Sequence, residues 1–244
     1  MLTSVQNTKV KEWKKLHKRK YRKQTGQFLV EGHHLVEEVL ASDWTVLELI
    51  RREGTDFTAP PEIKVTEVDA QVFAAVAETE TPQGIAAVVE QKTYEFLPAK
   101  RTLMIDAVQD PGNIGTLIRT ADAAGFDQVL LGTGSVDPFN DKVIRATQGS
   151  IFHLPILTGE LTEFMNELKA EGVEIWAAAL QEAKPYKDMK TPDRVALLVG
   201  NEGQGIAEHL LEQSEKKVYI PIYGRAESLN VAVAGAVLMY HLQS

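Results

Sequence analysis

Three stretches of this chain carry side chains able to hold and activate a ligand: Asn113-Ile-Gly115-Thr-Leu-Ile-Arg119, Gly200-Asn-Glu-Gly-Gln-Gly205 and Ser228-Leu-Asn-Val-Ala-Val-Ala-Gly235. Each joins a strand or a loop to a helix. One follows the apolar run Thr102 to Ile105, the next follows Val195 to Val199, and the last lies just beyond Val218 to Ile222. Glycine at a strand end lets backbone groups approach a ligand closely, and a helix N-terminus adds partial positive charge there. Amides, a carboxylate, a hydroxyl and a guanidinium at the strand ends of one α/β domain are suited to binding a polar ligand and stabilising developing charge.

Each stretch also has a plainer account. Asp110-Pro111-Gly112-Asn113 is turn chemistry feeding a helix, with Asn113 as the expected N-cap and Gly125 as the stop. Helical spacing sets Gly115 one turn before Arg119, leaving room for a substrate beside the guanidinium; the alternative is an exposed Arg119 paired with Asp122 at i+3. Asn201 and Glu202 could simply cap the helix that follows them. Ser228 is a natural N-cap, and Ala232 to Leu238 is a small-residue face suited to tight packing. The glycine spacing at 200–205 is neither that of a dinucleotide fingerprint nor, without a Lys-Ser or Lys-Thr after Gly205, that of a phosphate-binding P-loop.

The elements that must position these residues follow from the pattern around them. From Thr102 onward, strands at 102–105, 128–131, 153–157, 173–179, 195–199 and 218–222 alternate with helices at 114–124, 140–148, 161–171, 205–213 and 228–242. Apolar strands alternating with helices imply an α/β fold with a mostly parallel, two-faced sheet. Before it, residues 1–92 predict a small α/β domain: a basic helix, strands at Phe28–Val30, Val46–Ile50 and Ile85–Val89, and helices at His33–Leu40 and Ala70–Ala77. The polar, proline-bearing stretch 93–101 is the expected linker and 102–244 the second domain.

With 244 residues, 44% of them hydrophobic, the chain can build real cores. It has no cysteine, which removes disulfides, thiolate metal sites and any cysteine-nucleophile mechanism, including cysteine-dependent base methylation. His33 and His34 lack the spacing of ligands on one helix face, and no acidic cluster completes a site, so no metal is expected. The longest apolar run, Val231 to Tyr240, is too short to span a bilayer, and the basic N-terminus lacks a signal-peptide core; a cytoplasmic protein is expected.

The net charge of −8 is unevenly placed. Residues 1–23 hold nine Lys or Arg against the single acid Glu12, a net +8, so the remainder carries −16. Lys14, Lys15, Lys18, Arg19, Lys20, Arg22 and Lys23 are candidates to meet nucleic-acid phosphate, while the acidic body limits indiscriminate binding. The plainer alternative is a solvated amphipathic helix with Val10, Trp13 and Leu16 facing inward. Lys142 and Arg145 are weaker candidates for the same phosphate contact.

In this order, the three motifs resemble those of the SpoU/TrmH branch of the SPOUT superfamily, which methylates RNA ribose 2′-hydroxyls with S-adenosylmethionine. Thr120-Ala-Asp-Ala-Ala-Gly125-Phe126 and Lys142-Val-Ile-Arg145-Ala-Thr-Gln-Gly149 extend the likeness. Gly26-Gln-Phe28-Leu-Val-Glu31-Gly32 and Thr81-Pro82-Gln83-Gly84-Ile85 look like the substrate-binding domain that many members carry. The resemblance implies a SPOUT-type sheet with a C-terminal trefoil knot, and a homodimer whose site lies near the subunit contact. It implies that Arg119 acts on the ribose hydroxyl, as general base or as electrostatic stabiliser, with Asn113, Glu202, Ser228 and Asn230 shaping the reacting centre. Leu198, Gly200, Asn201, Glu202, Gly203, Ile220, Ser228, Leu229 and Asn230 would hold the cofactor. Ala232 stands where many relatives have serine. The separate N-terminal domain is more like the ribosomal RNA members than the transfer RNA ones. Other readings are a transfer RNA methyltransferase, a non-catalytic ribosomal RNA-binding protein, or an NAD enzyme lacking the usual fingerprint.

Overall fold

The computed structural model describes residues 1–243. In chain order its elements are α1 (Thr8–Lys15), α2 (Arg19–Thr25), β1 (Gln27–Glu31), α3 (His33–Ala41), β2 (Val46–Arg52), β3 (Val65–Val68), α4 (Ala70–Val76) and β4 (Ile85–Glu90). There follow β5 (Arg101–Ile105), α5 (Pro111–Ala123), β6 (Gln128–Gly132), α6 (Asp141–Thr147), β7 (Ile156–Gly159), α7 (Leu161–Ala170), β8 (Glu174–Ala178), β9 (Lys184–Pro185), β10 (Val195–Val199), α8 (Glu208–Glu212), β11 (Lys216–Tyr219) and α9 (Val231–His241). They form two compact units: residues 1–93 with 139–152, and residues 94–138 with the chain from His153 on.

The first unit is built on a four-stranded sheet ordered β1-β4-β2-β3, antiparallel except for the β2–β3 pair. Val10, Trp13 and Leu16 recur on one face of the N-terminal helical segment and bury against Ile50, Val72, Phe73 and Val88, which anchors the basic segment to the sheet. The β3 strand has no counterpart in the sequence expectation; its four residues are too short for alternation to register.

Segment 139–152 falls within the expected second domain but packs with the first unit. Phe139 and Phe152 supply the reason. The Phe139 ring lies 4.7 Å from Phe28 and 6.2 Å from Trp44, and Phe152 lies edge-on to Trp44 at 5.5 Å. Aromatic rings bury the largest apolar areas, so two such anchors carry the short α6 with them. The stretch expected as a linker is likewise docked: Tyr94 and Phe96 pack on the core of the second unit, and Phe96 meets Phe164 at 5.0 Å.

The second unit is a seven-stranded sheet ordered β7-β6-β5-β10-β8-β11-β9, with every pairing parallel. Strands β5, β6 and β10 are buried along their whole length, as the near-continuous apolar sequence of a doubly covered parallel strand requires. On one face, α9 packs against α5 at very close range, since a Cβ on Gly235 would come within 2.5 Å of Leu117 Cδ2. Among the described residues no helix is long and apolar enough to cross a membrane, and no group of three or more His, Cys, Asp or Glu is arranged to hold a metal.

Candidate active site

Strands β10, β8 and β11 are neighbours in the sheet and run parallel, so their carboxyl ends open in one direction. Outside those ends lies a cavity of about 660 Å³, a size that takes a cofactor-sized molecule. Its walls come from residues 178–182 at and beyond the end of β8, from 199–202 and 204–206 at and beyond the end of β10, from 217–220 and Ile222 along and beyond β11, and from Ser228 into α9.

The loop after β10 is closed on itself. Asn201 N donates to Gly205 O at 2.9 Å and Gly205 N donates back to Asn201 O at 3.0 Å, with Gly205 at φ +73°. Asn201 Oδ1 accepts from Gly203 N and Gln204 N at 2.9 and 3.1 Å. Asn201 therefore caps its own loop, not a helix, and α8 begins only at Glu208. Gly200 admits no side chain: a Cβ there would lie 2.4 Å from Gly205 C and 2.5 Å from Ile206 N, both fixed backbone.

Two residues that the motif reading passes over hold this loop in place. Asp106 Oδ2 accepts from Ala207 N at 2.8 Å, and Ala107 O accepts from Asn201 Nδ2 at 2.7 Å. Ala107 has φ +51°, an unfavourable backbone for a residue with a Cβ, and that geometry places its carbonyl at the loop. Asp106 directly follows β5, which pairs with β10, so the end of one strand clamps the loop leaving its neighbour.

The helix starts differ from expectation in an informative way. The N-cap of α5 is Asp110, whose Oδ1 accepts from Asn113 N at 2.8 Å. Asn113 thus sits inside the first turn with its side chain released for other contacts. The N-cap of α9 is Asn230, not Ser228: Asn230 Oδ1 accepts from Ala232 N and Val233 N at 2.9 and 3.3 Å. Its amide then donates to Asn113 Oδ1 at 2.9 Å, and Asn113 Nδ2 donates to Glu202 Oε1 at 2.9 Å.

The three motifs are therefore joined by one directed chain, from the α9 N-terminus through Asn230 and Asn113 to Glu202. Each amide orientation is dictated by its neighbour. A carboxylate only accepts, so Asn113 must present its NH₂ to Glu202 and its carbonyl to Asn230. Hydrogen bonds in series polarise one another in the same sense.

The remaining expected residues divide. Gly200, Asn201, Glu202, Ile220, Ser228, Leu229 and Asn230 line the cavity. Leu198 does not: it is fully buried in the core with Met104, Ile175 and Leu210, and Val199 is the wall residue of that strand. Gly203 is likewise outside the lining. The strand expected over 218–222 ends at Tyr219, and the freed Ile220 and Ile222 turn to the cavity.

Residues Ala178 to Glu182 also line the cavity, because β8 lies between the parallel strands β10 and β11, an order that only the folded sheet sets. At that wall Lys217 Nζ pairs with Glu182 Oε2 at 3.0 Å.

Arg119 is exposed on α5, outside the cavity lining. Its expected plainer partner is occupied elsewhere, since Asp122 Oδ2 takes His153 Nδ1 at 2.7 Å. Among the described residues Arg119 makes no ion pair. Gly115 is buried in the same helix.

In the basic segment, Lys14, Lys15, Lys18, Arg19, Lys20 and Lys23 are exposed. Arg22 is the correction: only 3% exposed, it donates through Nη1 to Leu16 O and His17 O, both at 2.8 Å, and staples the α1–α2 junction. Lys142 is exposed, whereas Arg145 is paired with Asp141 at 2.9 Å.

A parallel α/β domain with a glycine-loop cavity at its strand ends, and a side-chain relay joining three separate motifs beside it, defines a cofactor-binding enzyme class. The chain belongs to the SpoU rRNA Methylase family, whose model matches residues 100–240; residues 7–87 match the MRM3-like substrate binding domain. It is 50% identical over 244 residues to the 23S rRNA (guanosine(2553)-2′-O)-methyltransferase RlmP of Bacillus subtilis, covering 99% of this chain and 98% of that protein. It is 32% identical to an uncharacterized tRNA/rRNA methyltransferase of Synechocystis, covering 98% and 92%. Among solved structures, the AdoMet-bound rRNA methyltransferase from Sinorhizobium meliloti superposes with a TM-score of 0.90 at 31% identity, covering 99% and 96%.

Proposed function

We propose that this protein transfers a methyl group from S-adenosylmethionine to a ribose 2′-hydroxyl of RNA, with 23S ribosomal RNA as its substrate. The observation that carries this reading is the Asn230–Asn113–Glu202 relay, which ties all three motifs to the rim of the cavity. The full-length likeness to a 23S rRNA 2′-O-methyltransferase supports the substrate, and the AdoMet-bound neighbour supports the cofactor.

The residues present fit that cofactor. The Gly200 turn admits no side chain, which lets a ligand approach the loop backbone closely, while Ile220 and Leu229 offer apolar wall. Glu182, Glu202 and Lys217 supply charges of both signs for an amino acid portion and a sulfonium. Bound there, S-adenosylmethionine supplies an electrophilic methyl carbon, leaving the protein to align the hydroxyl and raise its nucleophilicity.

Ser228 and Asn230, exposed at the cavity, orient the ribose. Arg119 holds the substrate and stabilises negative charge growing on the 2′-oxygen. A guanidinium stays protonated in proteins, so charge stabilisation suits it better than proton abstraction.

Lys14, Lys15, Lys18, Arg19, Lys20 and Lys23 contact RNA phosphate, helped by Lys142, in an N-terminal substrate-binding domain. We infer a homodimer as well, supported by exposed apolar side chains on α9 and the loop before it, Val233, Tyr240 and Leu229. The C-terminal knot and a cytoplasmic location, where ribosomal RNA is found, complete the reading.

The test is transfer of labelled methyl from S-adenosylmethionine to separated ribosomal and transfer RNA from cells lacking the protein, with Arg119→Ala as control. Label in 23S rRNA that the substitution abolishes is the expected result. Label confined to transfer RNA overturns the substrate, and failure to bind the cofactor overturns the enzyme.

A further inference from the structure

Between two wall residues of the cavity, Ile222 and Ser228, the chain leaves the lining and returns, so the short loop 223–227 is flanked on both sides by the cavity wall. Every residue from Tyr223 to Asn230 is exposed. Tyr223 is 89% exposed, the highest value among the exposed large apolar side chains. Among the described residues it makes no hydrogen bond and no ring contact, and Arg225 makes no ion pair. Arg225 is also the single Lys or Arg beyond Lys217, in a chain whose body outside residues 1–23 is strongly acidic. An aromatic ring and a cation, both free, thus stand together beside the residues proposed to orient the ribose.

We propose that Tyr223 and Arg225 are the substrate lip of this site: the Tyr223 ring stacks on an unpaired base of the target loop, and Arg225 meets the adjoining phosphate. The inference rests on the methyltransferase reading given above. A ribose within a continuous helix is hard to bring against a recessed cavity, so the target strand must be splayed at the point of reaction. RNA read in that state is held by stacking on aromatic side chains and by charge on its backbone. A tyrosine supplies the ring at little entropic cost. The lip also gives Arg225 a use beside Glu202 and Glu227, since an RNA strand approaching those carboxylates needs local neutralisation.

The test uses the full-length protein with a 23S rRNA fragment, comparing Tyr223→Ala, Tyr223→Phe and Arg225→Ala. Methyl-transfer kinetics, S-adenosylmethionine binding by calorimetry and mass by light scattering are measured for each. Tyr223→Ala is expected to raise the KM for RNA about ten- to a hundredfold, the range that loss of one stacked base gives. Cofactor affinity stays within about twofold and the mass is unchanged, as expected for a contact made to RNA alone. Tyr223→Phe, which keeps the ring, restores the KM. Arg225→Ala lowers the slope of log affinity against log salt by about 0.7, one single-strand phosphate contact. With 2-aminopurine placed at bases flanking the target, quenching by the wild type is lost in Tyr223→Ala.

An unchanged RNA KM in an active Tyr223→Ala enzyme overturns the lip alone. Lost cofactor binding would place the ring over the cofactor, and a change in mass would place it against a second copy; either result also overturns it. A wild-type protein that methylates no RNA overturns the function proposed above, and the lip with it.

Discussion

Asn230 donates its side-chain amide to Asn113 Oδ1 across 2.9 Å, although 117 residues separate the two in the chain. Both sit at helix beginnings, Asn230 as the N-cap of α9 and Asn113 in the first turn of α5, and the tight α5–α9 packing at Gly235 brings those ends together. With the Asn113–Glu202 bond, the contact ties two helices and a loop together at the rim of the cavity.

Asn113→Asp keeps the shape of the relay but sets a second carboxylate at hydrogen-bonding distance from Glu202. Loss of a charge-assisted hydrogen bond and the added repulsion are worth about 1.5–3 kcal/mol. A fall in kcat of roughly ten- to a hundredfold is expected, with cofactor affinity nearly unchanged. Because the contacts are solvent-exposed, the melting temperature should move little; a large drop in a thermal melt would mean the relay is structural.

Gly200→Ala forces a Cβ into the backbone of Gly205 and Ile206, so the loop must open. Overpacking of this kind costs about 1–3 kcal/mol. Here the cost falls on the loop that walls the cavity, and calorimetric titration should show S-adenosylmethionine binding weakened by about tenfold or more.

Asp106→Ala leaves Ala207 N without its acceptor, at a cost of about 1–3 kcal/mol. Asp106→Asn retains a carbonyl oxygen able to accept and should recover most of the loss. Asp106 is outside the cavity lining, so the expected signature is a weakened cofactor Kd that Asn rescues; equal damage by both substitutions would require the negative charge itself.

Arg22 and Lys18 are four residues apart and should behave oppositely. Arg22→Ala removes two hydrogen bonds to backbone carbonyls, one buried and one partly buried, and should destabilise the protein by about 2 kcal/mol, read in denaturant unfolding. Lys18→Ala should leave stability unchanged and lower RNA affinity with a shallower salt dependence, read in binding titrations at several ionic strengths.

Much of this protein was legible in its sequence. Buried parallel strands such as Val195–Val199 must be continuously apolar, and alternation with helices at Pro111–Ala123 and Leu161–Ala170 fixes the α/β class. The motif residues Asn113, Glu202, Ser228 and Asn230 could be named because the three motifs in order resemble those of the SpoU/TrmH family; by residue type alone, capping and turn roles account for them. Helix caps were less legible. Asp110, Asn113, Ser228 and Asn230 are all good N-cap residues, and propensity cannot choose among candidates two or three positions apart.

Tertiary structure alone decided the rest. Arg22 and Lys23 are neighbours of the same charge, yet one is buried because the α1–α2 turn presents two carbonyls to it. Leu198 and Val199 are alike in composition, and only the register of β10 in the sheet sends one into the core and the other to the cavity. Asp106 and Glu182 reach the site because neighbouring parallel strands end together there, a contact between distant parts of the chain that no local pattern records. The sequence determined which groups were available and which local elements would carry them. The folded sheet determined which groups meet, because hydrogen bonds such as that of Asn230 to Asn113 depend on distances that only long-range packing sets.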